Sequence, residues 1–516
     1  MAQPISEGTD RRQSSMTDRA FFGQPAGLST LFFVELWERF SYYGMRAILA
    51  YYLYFAIVDG GLGLAEPSAV AIVSIYGASV YLLGVVGGFL ADRVMGAWRA
   101  TLYGGIVIMA GHISLAIPAV LASWTGIVLV AIGTGLLKPN ISTMVGELYD
   151  RGDPRRDSGF SIFYMSINIG SFFSPLIVGT VRERWGFHAG FSVAAVGMAI
   201  AVALFVWRSG TLRGAGRAVH NPLPRQERGK VALWGLAALA VFAGCYLLAG
   251  LWRGSVVGQF IDAVSFFAFG APIAYFVVMF RSPKVSAQER SHLLAYVPLW
   301  VGAMLFFMVF EQAAGKMAVF AEQRTVGELG PIGFQAEWFQ SINPLTIVIL
   351  APLFAVLWRY RAGKFPSLPA KFALGVTLVG ISALMLAWMF ASYTPEHKAP
   401  VFLLAACFII QTLGELCLSP VGLSATTLLA PAAFASQAMA LWFLASSAGQ
   451  ALAAQLITAM KNVPDSQYYL VNAAMTLVVS GLLFALVPWT RRKMADVEEA
   501  QRAGVDADRD SRSHAH

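Results

Sequence analysis

Apolar runs of about 20 residues recur along the chain, each long enough to cross a roughly 30 Å hydrocarbon layer as a helix. They fall near 28–57, 68–91, 100–120, 124–148, 158–181, 188–207, 231–250, 255–280, 291–321, 336–358, 369–391, 400–429, 434–459 and 467–489, fourteen in all. The in-out alternation that a membrane β-barrel requires is missing. The pattern therefore predicts an all-α membrane protein with fourteen transmembrane helices. Residues 1–27 are polar and lack an apolar h-region, so no cleaved signal peptide is expected. The charged stretch after Met494 reads as a disordered tail.

Composition sharpens this picture by exclusion. Of 516 residues, 57% are apolar and only 13% charged, against about 25% charged in soluble domains. A soluble enzyme, a nucleic-acid binder and a disordered scaffold are all excluded. Three cysteines (Cys245, Cys407 and Cys417) sit in apolar runs without CxxC spacing, so neither a disulfide nor a metal is implied.

The net charge of +8 resolves into topology. With both termini in the cytoplasm, 27 of the 37 Lys/Arg fall on the inner side and six outside: Arg182, Arg184, Arg253, Arg324, Lys398 and Lys461. That asymmetry predicts a multi-pass protein with cytoplasmic termini. The layout reads 6+2+6: an N-tail (1–27), a six-helix bundle (28–207), a basic linker (208–230), an extra helix pair (231–280), a second six-helix bundle (291–489) and a C-tail (490–516). GGFLADRVMGAWR (Gly87–Arg99) finds a faded echo in APLFAVLWRYRAGK (Ala351–Lys364), at the equivalent place in the second half. Two such halves suggest a transporter with a midplane site between them.

Four Lys/Arg remain within the spans, Arg39, Arg46, Lys138 and Lys316, matched by four carboxylates, Glu35, Glu38, Glu311 and Glu415. A charge at the bilayer centre costs about 2.5–3.5 kcal/mol on insertion scales, so eight must be paired or wet. A structural ion pair is the plain reading, and a polar cavity holding substrate and protons the favoured one. In ELWERFSYYGMR (Glu35–Arg46), Glu35, Glu38, Arg39, Tyr42 and Arg46 share an arc of about 100°. Arg46 and Glu311 lie at similar outer depths on the first span of each half, where a bridge between them could close the outer mouth. Lys138 and Glu415 sit near mid-span at equivalent places in the two halves, flanked by Gly133, Gly135 and Pro139 and by Gly414, Pro420 and Gly422. Such breakers bend helices and expose backbone to a cavity.

Further polar positions follow helical spacing. Tyr164, Asn168 and Ser171 share one face, and Trp442, Ser446 and Gln450 another, while Asn343 precedes Pro344. For Tyr81 and Trp442, packing between helices is as good a reading as ligand contact. His112, alone at mid-span, suits helix–helix bonding better than proton relay. GxxxxGK[ST], GxSxG and HExxH motifs are missing, so neither ATP hydrolysis nor hydrolase chemistry is expected. The driving force must be an ion or substrate gradient, and carboxylates in a changing environment suit protons.

At ExxERFSYY (Glu35–Tyr43) the sequence resembles the proton-coupled oligopeptide transporter family of the major facilitator superfamily. FYMSINIGSF (Phe163–Phe172), LLKPNIS (Leu136–Ser142), FEQ (Phe310–Gln312) and GELCLSPVG (Gly414–Gly422) are similar to further family patches, and GGFLADRVMG to the superfamily's inner loop motif. The extra helix pair also matches bacterial members.

The resemblance implies the major facilitator fold and proton-driven symport of di- and tripeptides at the bacterial inner membrane. Glu35, Glu38 and Arg39 would take part in proton coupling, and protonation of Glu311 would release Arg46. Lys138 and Glu415 would pair when the site is empty. Arg46, Lys138 and Tyr43 would receive the peptide carboxylate, and Glu415, Asn168 and Asn343 its amino end. Tyr42, Tyr81, Trp442 and Ser446 would line the pocket. Lys316 matches no motif, and the second helix lacks the histidine of animal members.

Beyond protons, peptide and membrane lipid, no cofactor, metal or nucleic acid is expected, and a monomer is. A drug/proton antiporter of the same superfamily, an anion symporter of the nitrate type and a non-transporting sensor are the alternatives.

Overall fold

The computed structural model describes residues 18–150, 153–219, 221–329, 332–360 and 366–496. Most of the two expected tails and the end of the Ala351–Lys364 echo lie outside them. The first bundle comprises α1 (Ala26–Tyr54), α2 (Glu66–Leu90), α3 (Ala97–Ala116), α4 (Val120–Glu147), α5 (Arg156–Trp185) and α6 (Phe187–Trp207). The extra pair is α7 (Arg225–Ala249) and α8 (Val256–Arg281). The second bundle comprises α9 (Ala287–Phe310) with its short continuation α10 (Lys316–Arg324), then α11 (Ile342–Tyr360), α12 (Leu368–Ser392), α13 (Val401–Leu429), α14 (Ala435–Ala459) and α15 (Asp465–Lys493).

Among the described residues, counting α9 and α10 as one broken span gives the fourteen expected, and twelve of them are long and apolar enough by themselves to cross a membrane. The other two are α1, which carries Glu35, Glu38, Arg39 and Arg46, and α3, whose mean hydropathy Arg99 and His112 pull down. Among the described residues, the strand pairing is one two-residue ladder, Glu328–Leu329 against Ile332–Gly333.

Within the first bundle α1 packs on α5 and α6, and α3 on α4 and α6; within the second, α12 packs on α13 and α15, and α9 on α14. Small residues set the closest approaches, as packing in lipid favours. A Cβ added at Gly104 of α3 would meet the Gly133 carbonyl oxygen at 2.8 Å, and one added at Gly133 the Gly104 carbonyl oxygen at 2.6 Å. A Gly133→Leu variant is expected to lose about 1–3 kcal/mol by overpacking. Its melting temperature in detergent should fall, and an unchanged value would show that α3 and α4 can separate freely.

The two bundles meet along α2 with α14 and along α5 with α11. At mid-height the Ser447 hydroxyl donates to the Ala78 carbonyl at 2.8 Å. The extra pair lies outside this seam, with α8 against both α2 and α14. Its hairpin is fastened by Arg253 and Asp262, and Gln455 of α14 donates to both Asp262 (2.9 Å) and Ser265 (3.0 Å).

Candidate functional site

The densest charge cluster sits on α1, as its spacing requires. Arg39 lies between two acids, with its Nε 3.1 Å from Glu35 and in contact with Glu38, and all three side chains are nearly inaccessible. Its guanidinium stands 5.3 Å from the centre of the Tyr42 ring. One oxygen of each acid, Nη2 of Arg39 and the nearby Tyr76 hydroxyl have no hydrogen-bond partner. A buried charge in that state is costly unless something can reach it, so this cluster has capacity for a proton or water. His112 joins α3 to α1 through a 2.6 Å hydrogen bond with Ser41.

Further along α1, Arg46 crosses to the second bundle. Its Nη2 donates to the Glu311 carboxylate at 2.5 Å and to the Glu311 carbonyl at 2.9 Å. Local structure explains why both acceptors are available. The helix α9 ends at Phe310, residues Glu311–Ala314 form a single 3-10 turn, and Gly315 adopts φ −114° and ψ −114° before α10 starts. A broken helix frees carbonyls from its ladder. Lys316, matched to no motif, begins α10 and contacts Asp465 at the start of α15, over the Tyr468 ring. It ties the segment after the break to the last helix.

Lys138 and Glu415 do not form the expected ion pair in this conformation. The Lys138 ammonium lies 4.2 Å from the centre of the Tyr81 ring, and Glu415 accepts from the Asn343 amide at 2.9 Å. Each charge has a substitute partner on its own side of the seam: a π face on α2 for the cation, and an amide on α11 for the anion. A cavity of about 820 Å³ opens at one end of the seam, lined by Asp92, Arg93, Ser142, Glu147, Arg156 and Asn221 on the first-bundle side and by Ser436 and Gln437 of α14. Lys138 precedes Ser142 by one helical turn on the same face of α4, so it stands just above that opening.

The opposite end is shut by contacts between the bundles. Tyr51 donates to the Ala318 carbonyl (3.0 Å), Tyr54 to Glu322 (2.9 Å), Ser341 to the Phe172 carbonyl (2.8 Å), and Arg182 binds Glu337. The molecule is thus open at the end that carries the basic linker and closed at the other.

The remaining candidates divide by exposure. Tyr43, Tyr81, Lys138, Asn343, Glu311 and Glu415 are partly accessible. Tyr42 and Trp442 are buried: Tyr42 stacks on Tyr76, and Trp442 seats on Gly422, where a Cβ would meet its ring at 2.0 Å. Ser446 is buried, with its hydroxyl oxygen 3.3 Å from Gln450 Nε2. Asn168 is also buried and donates to the Tyr164 carbonyl of its own helix. Its neighbour Gly170 is a point of close approach of α5 to α1, because a Cβ there would lie 2.4 Å from the Leu36 carbonyl oxygen.

Sequence reasoning missed Arg182, Glu337 and Asp465. By sequence Arg182 falls in an outer loop, and Glu337 and Asp465 sit at the mouths of spans, where carboxylates are commonplace. Among the described residues no group of three or more His, Cys, Asp or Glu could hold a metal ion.

Two bundles, a charge-lined seam and the Arg46–Glu311 ion pair across it define a multi-pass membrane carrier of the major facilitator type. The chain belongs to the POT family, whose profile matches residues 98–474. It is 46% identical over 485 residues to the uncharacterized transporter YclF of Bacillus subtilis strain 168, covering 94% of this chain and 98% of that one. It is 42% identical to a di-/tripeptide transporter of Lactococcus lactis subsp. cremoris, covering 93% of this chain and 99% of the other. A crystal structure of a single-residue variant of the peptide transporter POT in complex with alafosfalin superposes with a TM-score of 0.86 at 47% identity, covering 94% of this chain and 99% of that one.

Proposed function

We propose that this chain imports di- and tripeptides together with protons across the bacterial inner membrane by alternating access, as a monomer with cytoplasmic termini. The observation that carries the reading is the placement of Lys138 and Glu415. They project from opposite bundles, are partly accessible, and are held by a ring face and an amide rather than by each other. A di- or tripeptide zwitterion separates its charges by roughly 6–10 Å, at about 3.3–3.6 Å per residue. A cationic wall facing an anionic wall suits such a ligand, whereas nitrate has no use for Glu415 and a lipophilic cation none for Lys138. Recognition of the two termini common to all peptides leaves side chains free to vary.

In this reading Lys138, Arg46 and Tyr43 receive the carboxylate, and Glu415 and Asn343 the amino group, with Asn168 behind them. Tyr81 and Ser446 form part of the wall. Tyr42 and Trp442, buried here, shape the wall from behind. Arg46 and Glu311 hold the outer mouth shut, so the conformation is inward-open. Protonation of Glu311 from outside removes the counter-charge that fixes Arg46, leaving the arginine free for substrate. The Glu35–Glu38–Arg39 cluster takes part in the coupling through its unpartnered atoms. One proton moving inward supplies about 2.3 kcal/mol per 100 mV and about 1.4 kcal/mol per pH unit. Those values support accumulation of about a hundredfold, which requires about 2.7 kcal/mol.

The test is uptake of labelled di- and tripeptides into proteoliposomes under an imposed pH gradient, acidic outside. Accumulation that collapses with a protonophore is expected. Uptake indifferent to the gradient would overturn the coupling, and none with either peptide length would overturn the substrate class.

A further inference from the structure

The extra helix pair takes no part in the transport path, and its two members are embedded differently. Among the described residues of α7 only Ala249 is buried, and Trp234 and Leu239 stand open to lipid. In α8, by contrast, Ile261 and Val264 are buried in one apolar cluster with Val70, Ile75 and Ala78 of α2 and Ala448 of α14. The helix therefore covers the α2–α14 seam from the lipid side, over the level at which Ser447 bonds to Ala78.

This cover is fastened to one side of the seam and smooth toward the other. Asp262 and Ser265 of α8 accept from the Gln455 amide of α14 at 2.9 and 3.0 Å. Arg253, at the turn of the hairpin, donates to the Gln455 side-chain oxygen at 3.0 Å. Further along α8, the Phe276 ring stands 6.3 Å from that of Tyr296 and 5.9 Å from that of Trp300, both on α9. On α2 the hydroxyls in this stretch are used within their own helix. Ser74 donates to the Val70 carbonyl at 3.1 Å, and Ser79 to the Ile75 carbonyl at 2.8 Å. What α2 brings to the shared cluster is apolar. An interhelical hydrogen bond has no water to replace it in lipid, whereas one apolar contact can be exchanged for another. The helix α8 is thus held by the second bundle and free to slide on the first.

The need for a pair follows from topology. The first bundle ends and the second begins on the same side, so a single added span would invert the second bundle. The helix α7 supplies the return crossing. Its start is tied to the first bundle, where Glu227 bonds Arg93 at 3.1 Å. It meets α8 through Phe242, whose ring stands 6.0 Å from those of Phe260 and Phe267. Apolar ring contacts make that joint yielding.

We propose that α8 is a lipid-side seal for the α2–α14 seam: it travels with the second bundle and keeps acyl chains out of the interface while α2 slides beneath it. This rests on the alternating access proposed above, and not on which solute is carried. Rocking parts one half of the seam at a time, and an acyl chain that entered would wedge it.

The seal is tested in proteoliposomes containing a phosphatidylcholine with a diazirine on its acyl chain, with carbene insertion mapped by mass spectrometry. In the parent, insertion should fall on α7 and spare residues 70–78 of α2. A variant lacking residues 231–280, which removes an even number of spans, should show at least about fivefold more insertion at 70–78. Gln455→Leu, which keeps the hairpin but loses its bonds to Asp262 and Ser265, should show at least about twofold more. Peptide uptake by either should slow at unchanged KM. Unchanged insertion in Gln455→Leu, or in a deletion variant that still transports, would overturn the seal.

Spin-label distances read which bundle carries α8. Val256→Cys is paired with Val326→Cys on the second bundle and with Val58→Cys on the first, all exposed positions, in a full-length background with Cys245, Cys407 and Cys417 replaced. Between alkaline and acidic pH, with and without Ala-Ala, the Val256–Val326 distance should hold while Val256–Val58 changes in step with Val58–Val326. The reverse pattern would overturn the proposal. A Val58–Val326 distance that never changes would overturn alternating access itself, and the insertion pattern would still report on the seal.

Discussion

A Glu311→Gln variant reconstituted into liposomes should lose uphill peptide accumulation, from about a hundredfold to about onefold, while retaining counterflow exchange of labelled for unlabelled peptide. The amide can still accept a hydrogen bond from Arg46, whose Nη2 now bonds both the carboxylate and the carbonyl of Glu311. It cannot offer a charge that appears and disappears with a proton. The mouth then opens and closes on substrate alone, so exchange survives. The full loss of about 2.7 kcal/mol of driving force follows from the same conversion that gives a hundredfold gradient. Normal uphill uptake by the variant would remove Glu311 from the coupling path. Loss of both accumulation and exchange would show that the residue is needed for cycling itself.

The second large effect concerns Glu415. A Glu415→Gln variant should bind Ala-Ala about 30- to 150-fold more weakly, the range that a loss of about 2–3 kcal/mol from one buried charge partner gives. The more discriminating readout uses N-acetyl-Ala-Ala, which has no ammonium group. Wild type should prefer the free amine by a similar factor, and the variant should hardly distinguish the two. If N-acetylation weakens binding equally in both proteins, Glu415 does not face the amino end and its bond to Asn343 is structural.

Much of this architecture was legible in the chain because lipid is an unforgiving solvent. Fourteen apolar runs could only be spans, and charges inside them had to find partners, so the depth of Arg46 and Glu311 pointed to their meeting. Lys316 was equally conspicuous, but its partner was not. Asp465 stands 149 residues away in sequence, at the first residue of a helix where acids are commonplace.

The Arg182–Glu337 pair was hidden for the same reason: a basic residue at the end of one span and an acid at the start of another look like ordinary solvated ends. Helix periodicity gave no warning of the break at Glu311–Ala314, since the apolar run continues through it. The separation of Lys138 from Glu415 depends on which mouth is open, and one sequence specifies both conformations. Trp442 could not be assigned to wall or core without Gly422, which makes room for its ring.

The central claim is that walls of opposite charge, one on each bundle, are matched to a zwitterion carried in with a proton. The most direct measurement is the current across a solid-supported membrane of proteoliposomes when a solute is added at constant pH. Positive charge should move inward on adding Ala-Ala, and none should move on adding the same dipeptide acetylated and amidated at its ends. Silence with Ala-Ala, or an equal response to the end-blocked dipeptide or to nitrate, would contradict it.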